Sequence, residues 1–108
     1  MSSKAWALTL AASLIALAPL AQAEVDGEAL YRQHCARCHG DDGRAKTWRG
    51  YLFFAQNLSK ARWQERESDE DILEAIRKGP RAMPAFADKL DDAEQQALVH
   101  YVRSLRQP

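Results

Sequence analysis

A chain of 108 residues with 15 basic and 15 acidic side chains has room for one small domain, and its balanced charge excludes the usual electrostatic basis for nucleic-acid or membrane-surface binding. The charges are unevenly placed. Residues 37–66 carry Arg37, Arg44, Lys46, Arg49, Lys60, Arg62 and Arg66 against Asp41, Asp42 and Glu65, whereas residues 67–108 are richer in acids.

Lys4 makes the start positive, residues 5–18 are apolar apart from Thr9 and Ser13, and Pro19 precedes Ala21-Gln22-Ala23. This pattern predicts an export signal over residues 1–23, cleaved after Ala23 at a small-x-small site. The apolar run is shorter than the ~20 residues of a membrane span. Residues 24–108 are therefore expected to be an exported, soluble domain, with retention of the run as an anchor as the alternative.

The first element of that domain is predicted as a helix capped by Asp26 and running from Gly27 towards Cys38. Gly27 and Tyr31, with Leu30 beside them, form a narrow apolar stripe. Glycine in a helix costs about 1 kcal/mol relative to alanine, so Gly27 suggests that another helix approaches closely there.

Cys35-Ala36-Arg37-Cys38-His39 dominates the reading. Two cysteines two residues apart and followed at once by histidine are the pattern of covalent haem attachment. On a helical turn both sulfurs share one face and can reach one edge of a porphyrin, and the adjacent imidazole suits the proximal iron position. A disulfide, a thioredoxin-like redox pair and half of a zinc site are the other uses of such a pair. Zinc needs two more ligands of matching spacing, and the chain has no other cysteine. A redox pair belongs in a βαβ pattern, and no run here resembles a central strand.

Gly40-Asp41-Asp42-Gly43 then ends the helix as a turn. Residues 44–66 show neither a sustained helical period nor clean alternation, yet contain Trp48, Tyr51, Phe53, Phe54 and Trp63. Those aromatics are expected to cover something, and a haem is the natural object. A second main helix starts at the capping-box-like Ser68-x-x-Asp71, buries Ile72, Leu73 and Ile76, and stops at Gly79-Pro80. The last opens at Asp91-x-x-Glu94 and repeats Leu98, Tyr101, Val102 and Leu105 on one face. Leu98 and Tyr101 are expected to cross near Gly27 and Tyr31. The predicted fold class is all-α, with three main helices wrapped around one prosthetic group.

Met83 is the one methionine beyond Met1, and Pro84 biases its backbone towards extended geometry. A loop held this way can present a thioether as second axial ligand, although most methionines fill gaps in cores. His34, next to Cys35, is badly placed to reach the other haem face, and His100 lies off the apolar stripe of the last helix.

The haem motif with Gly40, the Gly27/Tyr31 and Leu98/Tyr101 faces, and Ile76-Arg77-Lys78-Gly79 leading to Met83-Pro84-Ala85-Phe86 together resemble the class I c-type cytochromes, the small bacterial periplasmic monohaem kind. The resemblance implies one covalent haem c with thioethers at Cys35 and Cys38, His39 and Met83 as metal ligands, and single-electron transfer. One departure stands out. That family often has a proline soon after the haem motif, whose carbonyl accepts the proximal histidine's other N–H; here no proline occurs between Pro19 and Pro80. A backbone carbonyl within residues 44–50 is expected to take that role.

The function expected is a monomeric periplasmic electron carrier between redox-protein donors and acceptors of a respiratory or denitrification-type chain, docking transiently and lacking catalytic residues of its own. The basic excess of residues 37–66 could steer an acidic partner, neutralise haem propionates, or simply be solvated. Two alternatives belong to other classes. One is a haem enzyme or small-gas sensor with an open distal site; the other is a haem subunit or maturation helper of a larger oxidoreductase.

Overall fold

The computed structural model describes residues 25–108, so the predicted export signal and its cleavage site after Ala23 lie outside the described residues. Six helices and no strand occur among the described residues: α1 (Gly27–His34), α2 (Ala36–His39), α3 (Trp48–Phe53), α4 (Ala61–Arg66), α5 (Asp69–Lys78) and α6 (Asp92–Ser104). None of them is long and apolar enough to cross a membrane.

Local chemistry explains where the long helices start and stop. The Asp26 carboxylate accepts the Ala29 N–H at 3.0 Å and opens α1. Full capping boxes open the other two: Ser68 and Asp71 exchange side-chain and backbone hydrogen bonds, as do Asp91 and Glu94. The bonds from Ser68 hold the Asp71 carboxyl below the usual carboxylate range. Gly79 ends α5 in the left-handed conformation at φ 61°, which only glycine adopts without penalty.

Two elements differ from the sequence prediction. The expected single helix from Gly27 to Cys38 is interrupted at Cys35, whose φ of −115° caps α1. The Cys35 carbonyl then accepts from the N–H groups of Cys38 and His39, which starts α2 as a separate turn. Residues 44–66, expected to be irregular, contain α3 and α4. Each is six residues long, too short for a helical period to register.

The core forms where α1 crosses α6 and α5 packs on α6. Tyr31 and Leu98 are fully buried, and the Tyr31 and Tyr101 rings lie 5.1 Å apart, as the paired stripes predicted. The Tyr31 hydroxyl, enclosed in this core, donates to the Gly40 carbonyl at 2.7 Å and so anchors the turn after the haem motif. At the crossing, a Cβ on Gly27 would run into the Ala97 carbonyl oxygen and lie 3.3 Å from Tyr101 Cβ. Gly27→Ala is therefore expected to destabilise the holoprotein by about 1–3 kcal/mol, even though alanine is intrinsically the better helix former by about 1 kcal/mol. A lower denaturant midpoint at unchanged m-value would show this; a higher midpoint would mean that propensity outweighs the clash.

A part-buried polar hub joins α6 to the turn between α4 and α5. Arg103 donates to the Gln64 carbonyl at 2.7 Å, to Gln64 Oε1 at 3.1 Å, to the Glu67 carbonyl at 2.5 Å and to Asp69 at 2.7 Å. Gln64 in turn donates to the carbonyls of Leu58 and Val102. One guanidinium thus satisfies two carbonyls that would otherwise be orphaned at the C-terminal end of α4.

Candidate cofactor site

A cleft of about 460 Å³ opens in the middle of the domain, a volume within the range of small-molecule and cofactor sites. Its floor is the core itself, since Tyr31, Leu58, Ile72, Ile76, Phe86, Leu98 and Val102 line it. The sequence-predicted residues converge there. Cys35, Cys38 and His39 enter from α2 and the residue before it, and Met83 enters from the loop after α5.

Each is positioned by identifiable bonds. The Cys38 carbonyl accepts from Thr47 Oγ1 at 2.7 Å, and the same oxygen of Thr47 accepts from the Gly50 N–H at 2.8 Å. Thr47 therefore caps α3 and fastens it to the attachment segment in one stroke. The Ala45 N–H donates to the His39 carbonyl at 2.7 Å. On the other segment, the loop carrying Met83 is bracketed by Met83 N–H to Pro80 O at 3.1 Å and Phe86 N–H to Ile76 O at 2.9 Å. Met83 is half-buried and packs against the core cluster.

His39 Nδ1 lies 2.8 Å from the Gln56 carbonyl oxygen. A carbonyl can only accept, so Nδ1 carries the proton and Nε2 keeps its lone pair. This corrects the expectation that the carbonyl would come from residues 44–50. The chain passes through α3 first, and the left-handed Phe54 at φ 56° turns it back so that the carbonyl two residues later faces the imidazole. Burial lowers the His39 pKa against the opposing effect of that hydrogen bond, which keeps the ring neutral. Cys35 and Cys38 are not joined in a disulfide; burial, reinforced by Cys38, pushes the Cys35 thiol up to about 11.

The aromatic prediction divides. Phe53, Phe54 and Trp63 line the cleft, whereas Trp48 and Tyr51 do not. Three-residue spacing puts Trp48 and Tyr51 on one face of α3, and that face points outward. His34 does line the cleft, edge-on to Phe86 with ring centres 5.3 Å apart. His100 is exposed and lies outside it. Pattern reading missed Gln56, which acts through its backbone, and the Arg103 hub. Thr47 carried a weak signal as a capping residue before an apolar turn.

The chemistry of this donor set fits a haem. An apolar slot takes a flat apolar macrocycle, two thiols from one turn sit beside it, and a neutral imidazole with a fixed tautomer and a soft thioether supply ligands suited to iron. Arg37, Arg66, Arg81, Glu67 and Asp71 form its polar rim.

Comparison with known proteins agrees. The family described as cytochrome c oxidase, cbb3-type, subunit III matches residues 22–102. The dihydro-heme d1 dehydrogenase of Pseudomonas aeruginosa is 42% identical over 80% of this chain and 16% of its own length. The cbb3-type cytochrome c oxidase subunit FixP of Bradyrhizobium diazoefficiens is 32% identical over 73% of this chain and 26% of its own length. The chain thus spans less than a third of either relative. Among solved structures, the KustC0563 c-type cytochrome superposes with a TM-score of 0.73 at 43% identity, over 77% of this chain and 100% of its own. The chain belongs to the cbb3-type subunit III family of cytochrome c domains and is a small, all-α c-type cytochrome for electron transfer, with one covalently bound haem c.

Proposed function

We propose that this domain is a periplasmic one-electron carrier with a closed iron site, bound through thioethers at Cys35 and Cys38 and ligated axially by His39 and Met83. The observation that carries this reading is the convergence of His39 and Met83 on the cleft that also receives both thiols. Haem supplies an iron that cycles between Fe(III) and Fe(II). The chain's part is to hold the ligands still. The Gln56 carbonyl orients the imidazole and makes it a better donor, the Pro80 and Ile76 carbonyls brace the Met83 loop, and the apolar floor excludes water. Small reorganisation on gain or loss of an electron follows from that bracing.

The matched region forms a minor part of the dehydrogenase and oxidase subunits to which it is similar. This supports a donor or acceptor role towards a larger oxidoreductase of the same compartment, either as a shuttle or as a resident haem subunit. The reading assigns no substrate turnover to the domain itself.

Optical spectra of the purified holoprotein, oxidised and reduced, before and after carbon monoxide, test the closed site. The expected result is a ferric methionine–iron charge-transfer band and no carbon monoxide binding. Met83→Ala is expected to abolish the band, admit carbon monoxide and lower the reduction potential, since thioether ligation raises it. A wild type that lacks the band and binds the gas would overturn the closed site in favour of a haem enzyme or sensor.

A further inference from the structure

The face of α3 that the haem cleft does not use is unexplained by the function so far. Trp48, Tyr51 and Leu52 are 65%, 69% and 59% exposed. They fall at i, i+3 and i+4 on one side of the helix, and none of them lines the cleft, so a bound haem leaves them in water. Large exposed apolar side chains placed side by side mark an interaction surface.

α3 is also mounted rigidly. Gly50 is buried where the helix meets the attachment segment, and a Cβ there would lie 2.6 Å from the Cys38 carbonyl oxygen. With the Thr47 bridge to the same carbonyl, α3 is fixed one helix diameter, ~10 Å, outside the haem-bearing turn. The rim is cationic. Lys46 and Arg49 have no carboxylate within ion-pair distance among the described residues, and Arg44 only a distant one at 3.9 Å from Asp42. The Arg49 guanidinium stacks over the Trp48 ring at 4.3 Å, a pairing of the two residue types that dominate binding hot spots.

We propose that the outer face of α3 is a docking surface for a different protein, one whose own patch has an apolar centre ringed by carboxylates. The proposal rests on the electron-carrier reading and names the partner's chemistry. A second copy of this chain fits badly, because pairing α3 with α3 would bring Lys46 and Arg49 against their own duplicates. A lipid surface fits badly as well. Even a whole myristoyl chain gives only marginal membrane binding, and three side chains on six residues of helix insert less.

Photo-crosslinking in the periplasm of the source organism tests this, with benzoylphenylalanine placed in the full chain at Tyr51, at Leu52 or, as control, at His100 on the exposed side of α6. The expected result is one protein adduct from Tyr51 and Leu52, absent from His100, whose mapped peptide contains apolar residues flanked by Asp or Glu. Lys46→Glu with Arg49→Glu should cut its yield about tenfold, with the haem spectrum unchanged. Replacing the mapped carboxylates by lysine should then restore the yield. Adducts to a second copy or to lipid, yields no higher than at His100, or indifference to the charge reversal would overturn the interface. The carbon monoxide test reads the iron site separately, so either reading can fail while the other stands.

Discussion

Serine at both Cys35 and Cys38 is expected to yield a chain with no covalently bound haem and without a cooperative fold. The cleft accounts for the second half of that expectation. Its walls are the same residues that form the core, from Tyr31 on α1 to Ile72 and Ile76 on α5 and Leu98 and Val102 on α6. With the cofactor bound these side chains pack on it; without it they border a water-accessible slot of about 460 Å³. A domain of this size is marginal even with a complete core. Anything bound only by the native state adds its binding free energy to stability, about 4 kcal/mol at a thousandfold excess over Kd, and a covalent tether makes that contribution independent of concentration. Two measurements check it. Haem that withstands denaturing extraction reports attachment, and the far-ultraviolet circular dichroism melt reports cooperativity. A doubly substituted protein that melts cooperatively near the wild-type temperature would show that α1, α5 and α6 suffice without the prosthetic group.

The parts of this molecule legible in its sequence are those written by short-range chemistry. The spacing of Cys35, Cys38 and His39 points to haem attachment, the Ser68/Asp71 and Asp91/Glu94 pairs declare the starts of α5 and α6, and Gly79-Pro80 declares an end. Gly27 signalled the helix crossing because a glycine inside a helix is a cost that a close approach explains. The family comparisons support the haem and the c-type class. The carbonyl partner of His39 could not be read. A backbone carbonyl has no sequence signature, and its position depends on how many residues α3 spends before Phe54 turns left-handed. The break at Cys35 was hidden for a related reason: Gly27 to Cys38 reads as one helix in residue pattern, and only the capping geometry at Cys35 shows two. The aromatics of residues 48–63 were grouped under one purpose because composition cannot say which way a six-residue helix faces. Once α3 is placed with Gly50 inward, Phe53 and Phe54 belong to the cleft, and Trp48 and Tyr51 belong to the outside.

Gly79→Ala is expected to produce the optical phenotype of Met83→Ala from a position that bears no ligand. At φ 61° an L-residue incurs about 1–2 kcal/mol of backbone strain. The larger effect is steric. A Cβ at position 79 would collide with the Met83 carbonyl oxygen and sit 2.6 Å from both the Ala85 nitrogen and the Pro84 carbonyl carbon. All three are backbone atoms, so no rotamer change relieves them. The loop cannot retreat as a unit either, because Phe86 and Ala87 are bonded to the carbonyls of Ile76 and Arg77 in the last turns of α5. Displacement therefore falls on Met83 to Ala85. The variant should retain covalent haem, bind carbon monoxide, lose most of the ferric methionine band and unfold at lower denaturant than wild type. Gly79→Asn separates the two causes. Asparagine tolerates the left-handed region far better than alanine but carries the same Cβ. If the asparagine variant keeps the band, backbone conformation is what secures Met83; if it loses the band as alanine does, the close approach of the loop to Gly79 is what holds the thioether in the cleft.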